Sequence, residues 1–296
     1  MQKVPARRAA AMIQECRFPV IARRRLTPMD PLTDVFTDIV AEGEALDKIL
    51  AGLDAAQWSL PTPAPGWTVR HQVAHLASVF RIAGLAASDP GLFTKVTAGA
   101  EKDFDAAVAE MLKPYLAASP GDLLARWRAE RDAAVTALAA LPPDQLVPWV
   151  ARQLPASVLA CAGMMELFAH GQDIADTVGV QREITDRIGH LAWFATRNRD
   201  FGYQVRGLTP PEAEFRYELT APSGATWEFG PADAGQRVTG PALDFCLLVT
   251  RRRHRDDLGV RATGADAHHW LDIAQAYRGS PGPGRQPGQF NGTTPA

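Results

Sequence analysis

Two short stretches bring imidazoles and a carboxylate to positions where they could do chemistry. "HQVAHLASVF" puts His71 and His75 at i and i+4 of one expected helix, and "MELFAHGQDIAD" puts Glu166 and His170 at the same spacing on another. Residues four apart share a helix face, and here that face also carries apolar residues such as Leu167 and Ile174. A carboxylate buried there without a partner is strongly unfavourable. A divalent cation held by Glu166, His170 and a third ligand from a neighbouring helix would compensate it. His71 or His75 could be that third ligand. Two histidines and one carboxylate leave coordination positions open, which suits a catalytic site better than a closed structural one. The same spacing also serves ordinary hydrogen-bonded pairs in a core, so on spacing alone both readings stand.

These residues need helices that face one another. "DPLTDVFTDIVAEGEALDKILAGL" sets Val35, Ile39, Leu46, Ile49 and Leu53 on one stripe at helical spacing. "PTPAPGW" then forbids regular structure, and a second helix over about 68–87 carries His71 and His75. A further helix is expected over 101–117. "SPGD" offers a serine N-cap with proline at the first helical position before a long helix to Leu141. The helix bearing Glu166 and His170 is closed by Gly179, and 183–203 reads as one more. After "GLTPPEAE" the period changes. "FRYELTA" alternates Phe215, Tyr217 and Leu219, "TWEFG" returns as a hairpin partner, and helix (241–252), strand (258–263) and helix (265–277) follow. The expected class is therefore α+β: a bundle of four to five helices, then a small α+β domain. The divisions are a flexible leader at 1–29, the bundle at 30–205, the small domain at 206–278 and a Gly- and Pro-rich disordered tail at 279–296.

Composition narrows the function classes. With a formal net charge of -2, 22% charged and 46% hydrophobic residues, the chain has no global basic field, and no nucleic-acid partner is expected. No run of 18 apolar residues occurs, so no membrane partner is expected either. Cys16, Cys161 and Cys246 are odd in number and lack a CxxC spacing, which fits a reducing, cytoplasmic setting and offers no thiol nucleophile. The first segment, basic and poor in acids, reads as a transit-like peptide, a flexible leader or an over-extended start before "MDPLTDVF".

Taken together, "PGWTVRHQVAHLA" and "MELFAHGQDIADTVG" resemble the DinB-like bundle superfamily, and within it the metal-binding domain of mycothiol-dependent maleylpyruvate isomerase and its relatives. "VTGPALDFCLLVTRRRH" and "GADAHHWLDIAQAYRGSPGPGR" extend the resemblance into the C-terminal half of an actinobacterial group of such proteins. The resemblance implies a divalent metal on His75, Glu166 and His170, with His71 not a ligand. Zinc is the first choice, and nickel, iron or manganese are alternatives. It also implies a thiol cofactor, mycothiol, whose thiolate adds to an activated alkene, permits rotation and leaves again, or is transferred outright. A C-terminal arginine assists catalysis in that family, and "TRRRH" offers Arg251, Arg252 and Arg253 as candidates to clamp a carboxylate of a small-molecule substrate. Thiol-independent hydrolase, lyase or cyclase chemistry, or a non-catalytic metal-binding module, remain alternatives on the same scaffold, and a homodimer is left open. Asp173 is either an orienting partner for the other nitrogen of His170 or a solvated helix residue. Trp67 and Trp127 are expected to be packing residues, His268 and His269 surface residues, and His190 and His254 core or surface residues without ligand partners.

Overall fold

In the computed structural model, residues 35–100, 103–150 and 152–290 are described; the expected leader at 1–29 lies outside them. Among the described residues, six α-helices form the N-terminal part up to residue 178: α1 (Val35–Ala51), α2 (Val69–Ser88), α3 (Pro90–Val96), α4 (Phe104–Leu116), α5 (Pro120–Ala139) and α6 (Ala156–Val178). Their starts follow local chemistry. Thr68 and His71 form a capping box at α2, and Ser119 accepts from the Asp122 amide at α5 with Pro120 in the first turn. The last helix of this group stops at Gly179, whose φ of 70° closes it in the left-handed conformation.

Apolar stripes on these helices make one core. Val35, Ile39, Leu46 and Leu50 of α1 are buried, as are Leu76 and Phe80 of α2, Leu123 and Trp127 of α5, and Leu167 and Phe168 of α6. Helices α2 and α6 pack directly on each other, and α1 and α5 flank them. That pairing brings the two histidine-bearing motifs face to face.

The expected single helix over 183–203 is instead two, α7 (Ile188–Arg197) and α8 (Phe201–Gln204). Between them Asn198 turns its side chain back to the Phe194 carbonyl. A two-residue antiparallel ladder, β1 (Leu146–Val147) with β2 (Leu154–Pro155), was not expected from the sequence. The C-terminal part is a four-stranded sheet of order β4-β3-β5-β6, from β3 (Phe215–Thr220), β4 (Thr226–Phe229), β5 (Gln236–Pro241) and β6 (Arg261–Thr263). The hairpin β3–β4 follows the alternation of its residues, and β5 runs parallel to β3 on the other side. Helices α9 (Ala242–Val249) and α10 (Ala265–Ile273) cover the sheet, closing an aromatic cluster of Phe215, Tyr217, Phe245 and Trp270. The chain is thus α+β, as expected. Among the described residues, no helix is long and apolar enough to cross a membrane.

The Gly- and Pro-rich segment after Tyr277, whose composition reads as a disordered tail, makes specific contacts. Up to residue 290 it lies across the bundle. Arg285 pairs with Asp173 at 2.6 Å, and the Gly288 amide donates to the Asp257 carboxylate at 2.9 Å. A charged contact far away in the chain holds a segment that its own composition would leave loose.

Candidate metal centre

The packing of α2 on α6 brings His75, Glu166 and His170 together. Their potential ligand atoms all lie within 4.8 Å of one another. Glu166 Oε2 is 3.3 Å from His75 Nε2 and 3.1 Å from His170 Nε2. Burial by itself would raise the Glu166 carboxyl, but its bonds to His170 and His75 and the histidine charges hold it well below the usual carboxylate range. Burial, reinforced by the neighbouring His75, lowers His170 to about 4, so its ring is neutral near pH 7.

The surroundings of the other nitrogen of His170 favour one tautomer. His170 Nδ1 faces Gln72 Oε1 in a short hydrogen bond, while Gln72 Nε2 donates to Thr62 Oγ1 at 2.8 Å and reaches Asp173 Oδ2 at 3.5 Å. With the amide oriented this way, the carbonyl oxygen accepts and the ring proton sits on Nδ1. The neutral ring then has only a lone pair on Nε2, and that lone pair points at a carboxylate oxygen. In that tautomer two acceptors face each other across 3.1 Å, a contact that a shared proton or a metal cation would relieve. The donor set of two imidazole nitrogens and one carboxylate fits a divalent metal there.

Other predicted residues fall as follows. His71 does not approach the triad's ligand atoms: its Nδ1 accepts from the Thr68 amide at 3.2 Å and caps α2. Asp173 matches neither of its two readings. It is fully buried, pairs with Arg252 at 2.8 Å and Arg285 at 2.6 Å, and leaves the orienting role to Gln72. Gln72 was missed because a lone glutamine three residues before a histidine carries no distinctive signal. Trp67 does more than pack: it stacks on His170 with ring centroids 5.8 Å apart and lies 5.3 Å from His75. Trp127 is a core residue under the Arg131 guanidinium, and His268 and His269 are exposed. His190 is buried against Asp38 at 2.8 Å, and His254 caps a short turn through the Asp256 amide.

The three candidate arginines separate sharply. Arg252 is bound to Asp173 and to the carbonyls of Ala169 and Thr250. Arg253 makes a two-pronged pair with Asp176, both contacts 2.7 Å, and its guanidinium lies 3.8 Å over the Phe290 ring centre. Among the described residues no carboxylate pairs with Arg251, and its buried Nε has no partner. Its backbone is also unusual. With φ of 58°, it is the one non-glycine residue at positive φ among the described residues. It sits just past the end of α9, where its amide bonds to Leu248 O and the next amide to Leu247 O. That closure normally takes glycine. A side chain kept in a left-handed position at a cost of about 1 kcal/mol points to a role for the guanidinium.

Triad, Trp67 and Arg251 share one cavity of about 420 Å³. Residues 280–285 line it together with side chains from α2, α4, α5 and α6.

Comparison with known proteins places this architecture. The N-terminal domain family of mycothiol maleylpyruvate isomerase matches residues 39–175, and a family described as wyosine base formation matches residues 211–262, most of the sheet. Two crystal structures of mycothiol-dependent maleylpyruvate isomerase, one of a histidine-to-alanine mutant, superpose with TM-scores of 0.52 and 0.54. Each is 16% identical in sequence and covers 78% of this chain and 92% of its own. The protein is therefore an α+β protein with the fold of that isomerase. An uncharacterized protein of Mycobacterium tuberculosis, matched in strains H37Rv and CDC 1551, is 44% identical over 84% of this chain and 96% of its own length. The chain belongs to the DinB-like, mycothiol-dependent maleylpyruvate isomerase family.

Proposed function

We propose that this protein is a metal-dependent enzyme that uses a low-molecular-weight thiol to isomerise, or to conjugate, a small anionic substrate. The observation that carries the metal part is the convergence of one ligand atom each from His75, Glu166 and His170 within 4.8 Å, with His170 Nδ1 engaged by Gln72. His75, Glu166 and His170 would hold the cation. When bound, a divalent metal supplies Lewis acidity and a lowered pKa for a coordinated thiol or water, and mycothiol, named in the relatives, supplies the nucleophile.

The remaining parts are performed by this chain's own residues. Gln72 keeps the His170 proton on Nδ1 and so keeps Nε2 available. Trp67, stacked over His170, shields that face of the centre from water. Arg251 offers an uncommitted guanidinium in the same cavity, and planar, two-pronged recognition suits a substrate carboxylate. Arg252 holds Asp173 and thereby ties the end of α9 to α6.

The test is the cis–trans isomerisation of maleylpyruvate by the metal-loaded protein, followed by ultraviolet absorbance with and without mycothiol. Thiol-dependent turnover supports the isomerase reading. Turnover of thiol-independent ester or amide substrates, with none of maleylpyruvate, replaces it with a hydrolase on the same centre. Binding of metal with no turnover of either kind leaves a non-catalytic metal protein.

A further inference from the structure

We infer that the cavity accepts an amphipathic anion: a carboxylate carried on an apolar chain or ring, its head at the Arg251 end and its body in the chamber between α2, α4, α5 and α6. This deepens the reading above and rests on it only for which end of the ligand reacts.

The cavity is lined in part by arginines that lack a carboxylate partner. Arg251 and Arg278 both line it, and among the described residues neither is paired with a carboxylate. Arg206, adjacent to Arg251, bonds only to the carbonyls of Gly202 and Ile273. Its ionisation is held down by burial and then by the Arg251 charge. The charges of Arg206 and Arg251 repel each other, and an anion on Arg251 would offset that repulsion.

Much of the remaining lining is apolar. Val79 of α2, Val108 and Met111 of α4, Val135 and Leu138 of α5, and Leu159 of α6 are part of it. Alanines at 83, 107 and 162 leave volume that larger side chains would fill. Polar residues line the cavity too: Arg152 donates to Asn198 at 3.4 Å, and Asp173 is held by Arg252 and Arg285. Ser78 turns its hydroxyl back to the His75 carbonyl at 2.9 Å, and Asp105 is exposed in the first turn of α4. A carboxylate set against these aliphatic side chains would lose its hydration without gaining a partner there, at a cost of several kcal/mol. A small dicarboxylate would therefore leave the chamber unused, whereas an apolar body fills it. The volume of about 420 Å³ falls in the range of pockets that enclose a drug-sized ligand.

The experiment is calorimetric titration of the full-length protein with straight-chain carboxylates from butanoate to dodecanoate, alongside the matching primary alcohols and maleate. Affinity is expected to rise about fourfold per methylene until the chamber is full, with carboxylates about tenfold tighter than alcohols of equal length. Arg251→Gly should abolish the carboxylate advantage and leave the methylene increment unchanged. Val108→Phe should end the ladder at a shorter chain; if that variant does not fold, Val108→Ala should extend it. Affinity independent of chain length, or maleate binding more tightly than decanoate, overturns the inference. Metal content is read on the same samples. A ladder in protein that takes up no metal keeps this inference and removes the metal reading, and bound metal without a ladder does the reverse.

Discussion

Gln72 on α2 and His170 on α6 are joined by a hydrogen bond from His170 Nδ1 to Gln72 Oε1. The bond favours the tautomer whose Nε2 lone pair faces Glu166 and His75. Gln72 is fully buried and is itself oriented by Thr62 and Asp173, so its amide cannot flip without breaking those contacts. A neutral amide with no ligand role thereby sets the chemistry of the centre.

Replacing Gln72 with Leu should weaken metal binding by about 10- to 100-fold, the usual effect of removing an orienting partner. The fold should survive, because leucine is close to glutamine in volume. Competition against a chromophoric chelator measures the affinity, and circular dichroism checks the fold. An affinity equal to that of the wild type would mean that the tautomer is set elsewhere.

Arg251 gives a prediction of opposite sign for stability and function. Arg251→Gly relieves a left-handed arginine and should raise stability by about 1 kcal/mol in urea unfolding. It should also weaken binding of anionic ligands. An arginine retained only to close α9 would show the opposite: lower stability with binding unchanged.

Asp173 is fully buried between Arg252 and Arg285. Asp173→Ala leaves two guanidiniums without their shared partner and should cost about 3–5 kcal/mol in denaturant unfolding. It should also free the segment after Tyr277, raising its proteolytic sensitivity at Arg285 before the bundle unfolds. Unchanged cleavage at Arg285 would show that the segment is held by other contacts.

Much of this arrangement was legible in the sequence, for physical reasons. Helical spacing puts Glu166 and His170 on one face, and a proline-rich break before Thr68 sets where α2 begins. The alternation of Phe215, Tyr217 and Leu219 exposes β3. What escaped depends on contacts remote in the chain. Strand β5 lies between β3 and β6 but has a single deeply buried apolar residue, Val238, followed by Gly240 and Pro241, so its pattern is invisible. The arginines of "TRRRH" look alike as letters. Only the acids of α6, Asp173 and Asp176, distinguish Arg252 and Arg253 from Arg251. The strap at 279–290 has a disordered composition and is ordered by Asp173, more than a hundred residues away.

Acid should destabilise the metal-free protein. His170 titrates at 6.5 in the unfolded chain and at about 4 when folded. Between those values the unfolded state binds the extra proton, so stability is full above about pH 6.5 and falls as pH drops toward 4. Glu166, also depressed on folding, continues the loss below its usual carboxylate range. Thermal melts from pH 8 to 4 on chelator-treated protein should show this decline, and His170→Gln should flatten its upper part. A melting temperature that rises toward pH 4 would contradict it.

The most direct measurement is the metal content of the untagged protein by plasma mass spectrometry, for wild type, His75→Ala and Glu166→Ala. Near-stoichiometric divalent metal in the wild type, lost in both variants while their circular dichroism stays native, is the predicted result. Wild-type protein that takes up no metal even after reconstitution would contradict the account. His75, Glu166 and His170 would then be a buried hydrogen-bonded network, sharing a proton where the proposal puts a cation.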